Sequence, residues 1–293
     1  MTAGAYPDVR RIGTEVSLAR GLEAGGYYNL AKLLWALAFA DEIRRSQIGG
    51  LPHGEEALVR DLGALQRELE LSGASPETLA YLERGLRGVA KKAELAWSES
   101  GEIAVCRSCG HLLIRDLPDR CPGCGAWRLT FRHFPPVHFL EPLAPEIALD
   151  SLRATPRILE GLMAGLTPRQ MLVPPAPDEW SMREALHHFL VTESLLAGRV
   201  RQILEQDRPR LAGVAAWAAQ LEDETAEDMF RRFRDSRQET LNRLVPLKAE
   251  QWLRQGDHEE FGPVTLLQQA SYFARHDHSH LGQVEAIRMA LAG

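Results

Sequence analysis

Cysteine is scarce in this chain. Four residues in 293 are cysteine, and all four fall between positions 106 and 124. That excludes a scaffold stapled throughout by disulfides. No apolar run approaches the ~20 residues that a membrane-crossing helix needs, so no membrane partner is expected. Positive charge is also short: 34 Lys and Arg stand against 40 Asp and Glu, for a net charge of −6. A general affinity for nucleic acid is therefore not expected, since it needs a concentrated basic surface. Arg231-Arg232-Phe233-Arg234 is a local exception, and the acidic run from Glu222 to Asp228 before it reads it as the solvated face of a helix. Nothing at the N-terminus has the form of a signal peptide, which gives the expectation of a cytoplasmic protein.

The four cysteines form one constellation. Cys106-Arg107-Ser108-Cys109-Gly110 is followed, with eleven residues between Cys109 and Cys121, by Cys121-Pro122-Gly123-Cys124-Gly125. Two Cys-x-x-Cys knuckles at this spacing can present four thiolates to one tetrahedral ion, zinc or iron, and the glycine after each pair lets backbone amides turn toward sulfur. The alternative is a pair of disulfides. A chain of this length does not need them to fold.

Elsewhere the apolar pattern is helical. Four short helices fill roughly the first hundred residues, broken at Gly25-Gly26, Gly49-Gly50 and Ser72-Gly73, with Ser75-Pro76 opening the fourth. Residues 101–133 form the cysteine module, and 134–146 a proline-punctuated connector expected to run extended over the surface. From 147 to 293 four helices are expected. The first starts at Thr155-Pro156. The second opens at Ser181 and the fourth at Thr265, each with a capping box (Ser181 with Glu184, Thr265 with Gln268), and the third runs from about Thr225 to Val245. Gly262-Pro263 is expected to turn the chain before the fourth. Trp97, Trp127, Trp217 and Trp252 are expected in cores. The fold class is thus mainly α: two helical bundles joined by a small four-cysteine module.

His276-Asp277-His278-Ser279-His280 lies on the last helix, within the stripe Phe273, His276, His280, Val284, Ile287. Residues four apart share a face, with Cβ atoms about 6 Å apart, so His276 and His280 can close on one ion. Hydrogen bonds to neighbouring side chains are the alternative account of two core-facing imidazoles. A third ligand is available on the helix opened by Ser181, where His187 and His188 are adjacent and the stripe Ala185, Phe189, Leu196, Val200 favours His188. Three imidazoles that leave a position open are the ligand set of a catalytic metal. His258 is a candidate for the mouth of such a site, or a solvated loop residue.

Trp180-Ser181-Met182-Arg183-Glu184-Ala185-Leu186-His187-His188-Phe189 resembles the second-helix signature of the DinB-like superfamily, and Gly262-Pro263-Val264-Thr265-Leu266 with His276 to Gln283 resembles its final-helix pattern. The resemblance covers about residues 147–293. It implies a four-helix bundle, commonly a homodimer, with zinc, nickel or iron on His188, His276 and His280, acting as a metal-dependent hydrolase or as a transferase that uses a low-molecular-weight thiol. Glu193 stands where relatives often carry a carboxylate, a position that could support the metal ligands from behind, face solvent or pair one helix with another.

The front half resembles another family. Gly25 to Leu34, continuing through Asp41-Glu42, is similar to a rubrerythrin helix, and the cysteine module is similar to that family's rubredoxin-like tail. Gly25, Asp41, Arg44, Val89 and Lys92 replace the residues expected of a di-iron site, so the resemblance implies a ferritin-like bundle without its metal centre. Three readings follow: a DinB-like metal enzyme with a structural four-cysteine metal, a redox protein with iron on the cysteines, or a noncatalytic interaction protein.

Overall fold

The computed structural model describes residues 9–46, 55–93, 95–177, 179–213 and 224–292. The expectations at Gly49-Gly50, Trp217 and Glu222 lie outside these residues. The chain divides into two compact units, Met1–Ala93 and Glu94–Gly293.

The first unit holds α1 (Val9–Ala24), α2 (Tyr28–Ser46), α3 (Glu55–Leu71) and α4 (Pro76–Ala90), with α1 packed on α2 and α3 on α4. Gly26, at φ +82°, makes the turn between α1 and α2, in a region of backbone space open to glycine. Ser75 caps α4 by accepting from the Thr78 amide at 3.2 Å, and Pro76 follows at the first helical position, as its fixed φ allows. The buried apolar residues of α1 and α2 are all alanine, Ala19, Ala31 and Ala38. Asp41 is buried in this interface, 2.8 Å from Arg44 and 3.0 Å from Arg11. Two guanidinium groups occupy its carboxylate.

In the second unit, a one-turn helix α5 (Trp97–Ser100) leads into the cysteine module, whose sheet has the order β2-β1-β3, with β1 (Ile103–Cys106), β2 (Leu112–Ile114) and β3 (Phe131–Phe134), all antiparallel. Trp127 lies outside any core: it is exposed, with the Arg120 guanidinium 3.2 Å above its ring. Trp97 rests on the backbone of Gly262, where a Cβ would sit only 2.3 Å from the indole. The connector departs from the expected surface course, because a turn of 3₁₀ helix at His138–Leu140 drives Leu140 into the core.

The bundle consists of α6 (Pro145–Met163), α7 (Met182–Glu205), α8 (Ala226–Leu244) and α10 (Leu266–Ala292), packed cyclically: α6 on α8 and α10, α7 on α8 and α10. The capping boxes at Ser181 and Thr265 are formed, and Thr225 caps α8. The first helix begins ten residues before Thr155-Pro156, at Pro145, and carries Pro156 in its interior. A proline there signalled a start in sequence; tertiary packing overrides that signal. A second small sheet, β4-β5-β6, closes one end of the bundle. It joins β4 (Arg210–Leu211), parallel to β5 (Gln255–His258), and β6 (Gly262–Thr265), with a one-turn helix α9 (Ala249–Trp252) before β5. Gly262-Pro263, expected as a turn, is the start of β6.

The bundle core is layered. One apolar cluster contains Leu152, Leu196, Leu241 and Phe273, and another contains Leu159, Phe189, Phe233 and Leu281. Fully burying side chains of this size stabilises the fold by about 1.5–3 kcal/mol each. Between the two clusters every helix contributes a polar residue: Thr155 from α6, Glu193 from α7, Arg237 from α8 and Asp277 from α10. All four are buried.

Candidate metal centre

The three histidines named from sequence come together. His188 sits two turns into α7, on the face set by the Ser181 cap, while His276 and His280 are one turn apart on α10. The Nε2 atoms of His188 and His276 are 3.2 Å apart, and a donor nitrogen from each of the three rings lies within 4.8 Å of the others. Metal–nitrogen bonds of about 2.0–2.1 Å at tetrahedral angles put donor atoms about 3.3 Å apart, close to that separation. His280 offers Nδ1 to the Gln283 side-chain oxygen at 3.2 Å. With Nδ1 as donor, the His280 lone pair lies on Nε2 and is directed away from Gln283.

The electrostatics favour neutral imidazoles. Burial, followed by the other histidines of the cluster, lowers the pKa of His188 to about 4, and burial, followed by His280, lowers His276 to about 4. Both therefore carry free lone pairs at neutral pH. The Nδ1 of His276 is buried and has no hydrogen-bond partner. His187 and the exposed His278 stay outside the cluster, as the helical stripe indicated.

Behind the histidines lies the polar layer. Arg237 donates through Nε to Glu193 at 2.5 Å and through Nη1 to Asp277 at 2.7 Å, and Thr240 and Thr155 donate to the same two carboxylates at 2.6 and 3.0 Å. Burial pushes the Glu193 carboxyl up, opposed by Arg237 and Thr240. The carboxylate of Asp277 also favours the charged form of His188, so the field of this layer reaches the cluster. Two carboxylates and one guanidinium carry a formal charge of −1, a setting that favours a nearby cation. Glu193 thus supports the histidine helices through Arg237 and does not face solvent. Sequence reasoning did not single out Arg237 or Asp277. The signal was present in the α8 stripe Met229, Phe233, Arg237, Leu241, Leu244, where an arginine occupies a core-facing position.

His258 is placed by neither of its sequence expectations. It lies in β5, buried, stacked on Phe261 at 4.3 Å between centroids, with Nε2 2.8 Å from Arg199 Nη2. The β4-β5-β6 sheet, invisible in the helical periodicity, draws it into the core.

The four cysteines form the second cluster, and among the described residues these two are the groupings that could hold a metal. Cys106 and Cys124 Sγ are 3.7 Å apart, as are Cys109 and Cys121 Sγ. A tetrahedral site with metal–sulfur bonds of about 2.3 Å has edges of about 3.8 Å. All four are free thiols, so the disulfide alternative is not realised. Burial works against ionisation of Cys106, but the backbone amides of Cys109 and Ser108 and the neighbouring thiols bring its pKa down to about 6.

No curated protein matches the chain. Among solved structures, YfiT from Bacillus subtilis, described as a probable metal-dependent hydrolase with an unusual four-helix bundle topology, is similar at 17% identity and a TM-score of 0.45, covering 50% of this chain and 89% of that one. No helix among the described residues is long and apolar enough to cross a membrane. The family model of the DinB superfamily matches residues 151–284, the segment that holds all three histidines.

Proposed function

We propose that this protein is a metal-dependent hydrolase or a thiol-dependent transferase. Its working site is His188, His276 and His280 with a divalent ion (zinc, nickel or iron), and its cysteine module holds a structural zinc or iron. The convergence of the three imidazole nitrogens, with 3.2 Å between two of them, is the observation that carries this reading. An ion on these nitrogens would supply Lewis acidity, polarising a carbonyl and lowering the pKa of a coordinated water or low-molecular-weight thiol.

The chain's own residues supply the rest. Gln283 fixes the ring orientation of His280. Arg237, by joining Glu193 of α7 to Asp277 of α10, holds the two ligand-bearing helices in register. Phe189 is fully buried, edge-on to His280, and closes the inner side against water. The three histidines remain half-exposed, which leaves a side open for substrate.

Metal content per chain tests the proposal, measured by elemental analysis on the wild type, a His276→Ala/His280→Ala variant and a Cys121→Ser variant. Two ions in the wild type, with a different one lost in each variant, are expected. Ester hydrolysis and thiol consumption are then assayed on the loaded protein, and the activity found should vanish in His188→Ala. If the histidine variant binds as much zinc, nickel and iron as the wild type, the proposal fails.

A further inference from the structure

Aromatic rings frame the histidine cluster on two sides. Trp180, from the loop before α7, stacks on His280 with centroids 5.6 Å apart and planes at 15°, and tilts against His188 at 5.0 Å. On the His276 side, Tyr272 stacks on that ring at 6.0 Å and 14°, and Phe139, from the 3₁₀ turn of the connector, meets it edge-on at 6.3 Å. Phe139 and Tyr272 also touch each other, at 5.6 Å and 81°. Three separate segments therefore deliver rings to one small site.

Burial separates the front of this frame from its back. Phe189 and Phe233, in contact at 5.7 Å behind His280, are fully buried. Trp180, Phe139 and Tyr272 are half-buried, like the histidines. Aromatic groups of this kind present an apolar body with a polar tip, and they favour stacked or edge-on contact with another planar ring.

We propose that the site selects a substrate whose reacting group bears a planar apolar substituent, an aryl or conjugated acyl group, seated between Trp180 on one side and Phe139 with Tyr272 on the other. This rests on the reading of His188, His276 and His280 as metal ligands, and it adds the chemical class of what binds there.

Two probes that share one metal-binding head and differ in the substituent test it: acetohydroxamate and benzohydroxamate, titrated into the full-length protein loaded with cobalt and followed by the cobalt absorption bands. Benzohydroxamate is expected to bind at least about tenfold more tightly, since it buries a ring against three others. In Trp180→Leu and in Phe139→Leu the ratio of the two affinities should fall to about twofold. Cyclohexanehydroxamate, apolar but not planar, should bind more weakly than benzohydroxamate. Equal affinity for the methyl and phenyl probes in the wild type, or a preference that survives both variants, overturns the inference while the metal site stands. Failure of the histidines to hold cobalt removes the metal reading and the inference together.

Discussion

Arg237 takes over the backbone acceptor that Pro156 leaves without a partner. Proline has no N–H to give to the carbonyl of Leu152 four residues earlier, and Arg237 Nη1 donates to that carbonyl at 3.1 Å. The same guanidinium binds Glu193 and Asp277, so one side chain from α8 ties together α6, α7 and α10. The break in α6 and the arginine in the core explain each other. Each is costly alone: an interior proline strands a carbonyl, and a buried guanidinium needs acceptors.

Removing that arginine should therefore be severe. Arg237→Met leaves two buried carboxylates with only their threonine donors and no countercharge, and takes the side-chain donor from the Leu152 carbonyl, so a loss of about 3–5 kcal/mol in unfolding free energy is expected by urea titration. The triple variant Glu193→Leu/Arg237→Met/Asp277→Leu removes the charges together and should recover most of that loss, because the cost lies in the unpaired charge. A single variant within about 1 kcal/mol of wild type would show that the layer does not hold the bundle.

Gln283 should matter to the metal more than to the fold. Its oxygen fixes the Nδ1–H tautomer of His280, and groups that orient a ligand histidine typically contribute 10–100-fold to metal affinity. Gln283→Leu should weaken zinc binding at the three-histidine site by about tenfold in competition with a chelator. Its urea midpoint should move little. Unchanged zinc affinity would show that the ring is held by packing alone.

Stability should fall as the solution is acidified, partly through His258. Burial first, and the Arg199 guanidinium second, hold its pKa at about 4 against an ordinary 6.5. Below pH 6.5 the unfolded chain takes up a proton that the folded chain refuses until about pH 4. The contribution is therefore complete above pH 6.5, is lost as pH falls toward 4, and levels off below. Within that window one such proton gives a slope of about 1.4 kcal/mol per pH unit. His258→Leu, compared with wild type in the metal-loaded protein, should be flatter by about that slope. Parallel curves would mean that folded His258 accepts the proton.

What could be read from sequence was local. The cysteine knuckles, the Ser181 and Thr265 caps, and the choice of His188 over His187 each depend on residues within one or two turns, and the structure places them as their spacing indicated. What could not be read is non-local. Thr155, Glu193, Arg237 and Asp277 are separated by up to 122 residues, and their layer exists only when four helices are in register. Pro156 misled for the same reason, since its compensating donor lies 81 positions away on α8. The β4-β5-β6 sheet was missed because its strands have four residues or fewer, too short to show an alternating pattern beside strong helical periodicity.

The cysteine module should depend on its metal for structure. Its own core is six residues, Ala104, Cys106, Leu113, Leu117, Cys121 and Phe131, two of which are prospective ligands. So small a cluster cannot offset the entropy of ordering three strands and two knuckles, and domains of this size normally need a metal or disulfides. The four sulfurs, drawn together without disulfides, are where such a metal would sit. With the ion removed by chelation, or in Cys121→Ser, amides of Ile103–Cys106 and Leu112–Ile114 should lose most of their protection from hydrogen exchange. Amides in the middle of α7 should keep theirs, because that helix is anchored by the apolar clusters and the Arg237 layer. Protected strand amides in the metal-free protein would show that the β1-β2-β3 sheet is held by its packing and not by the ion.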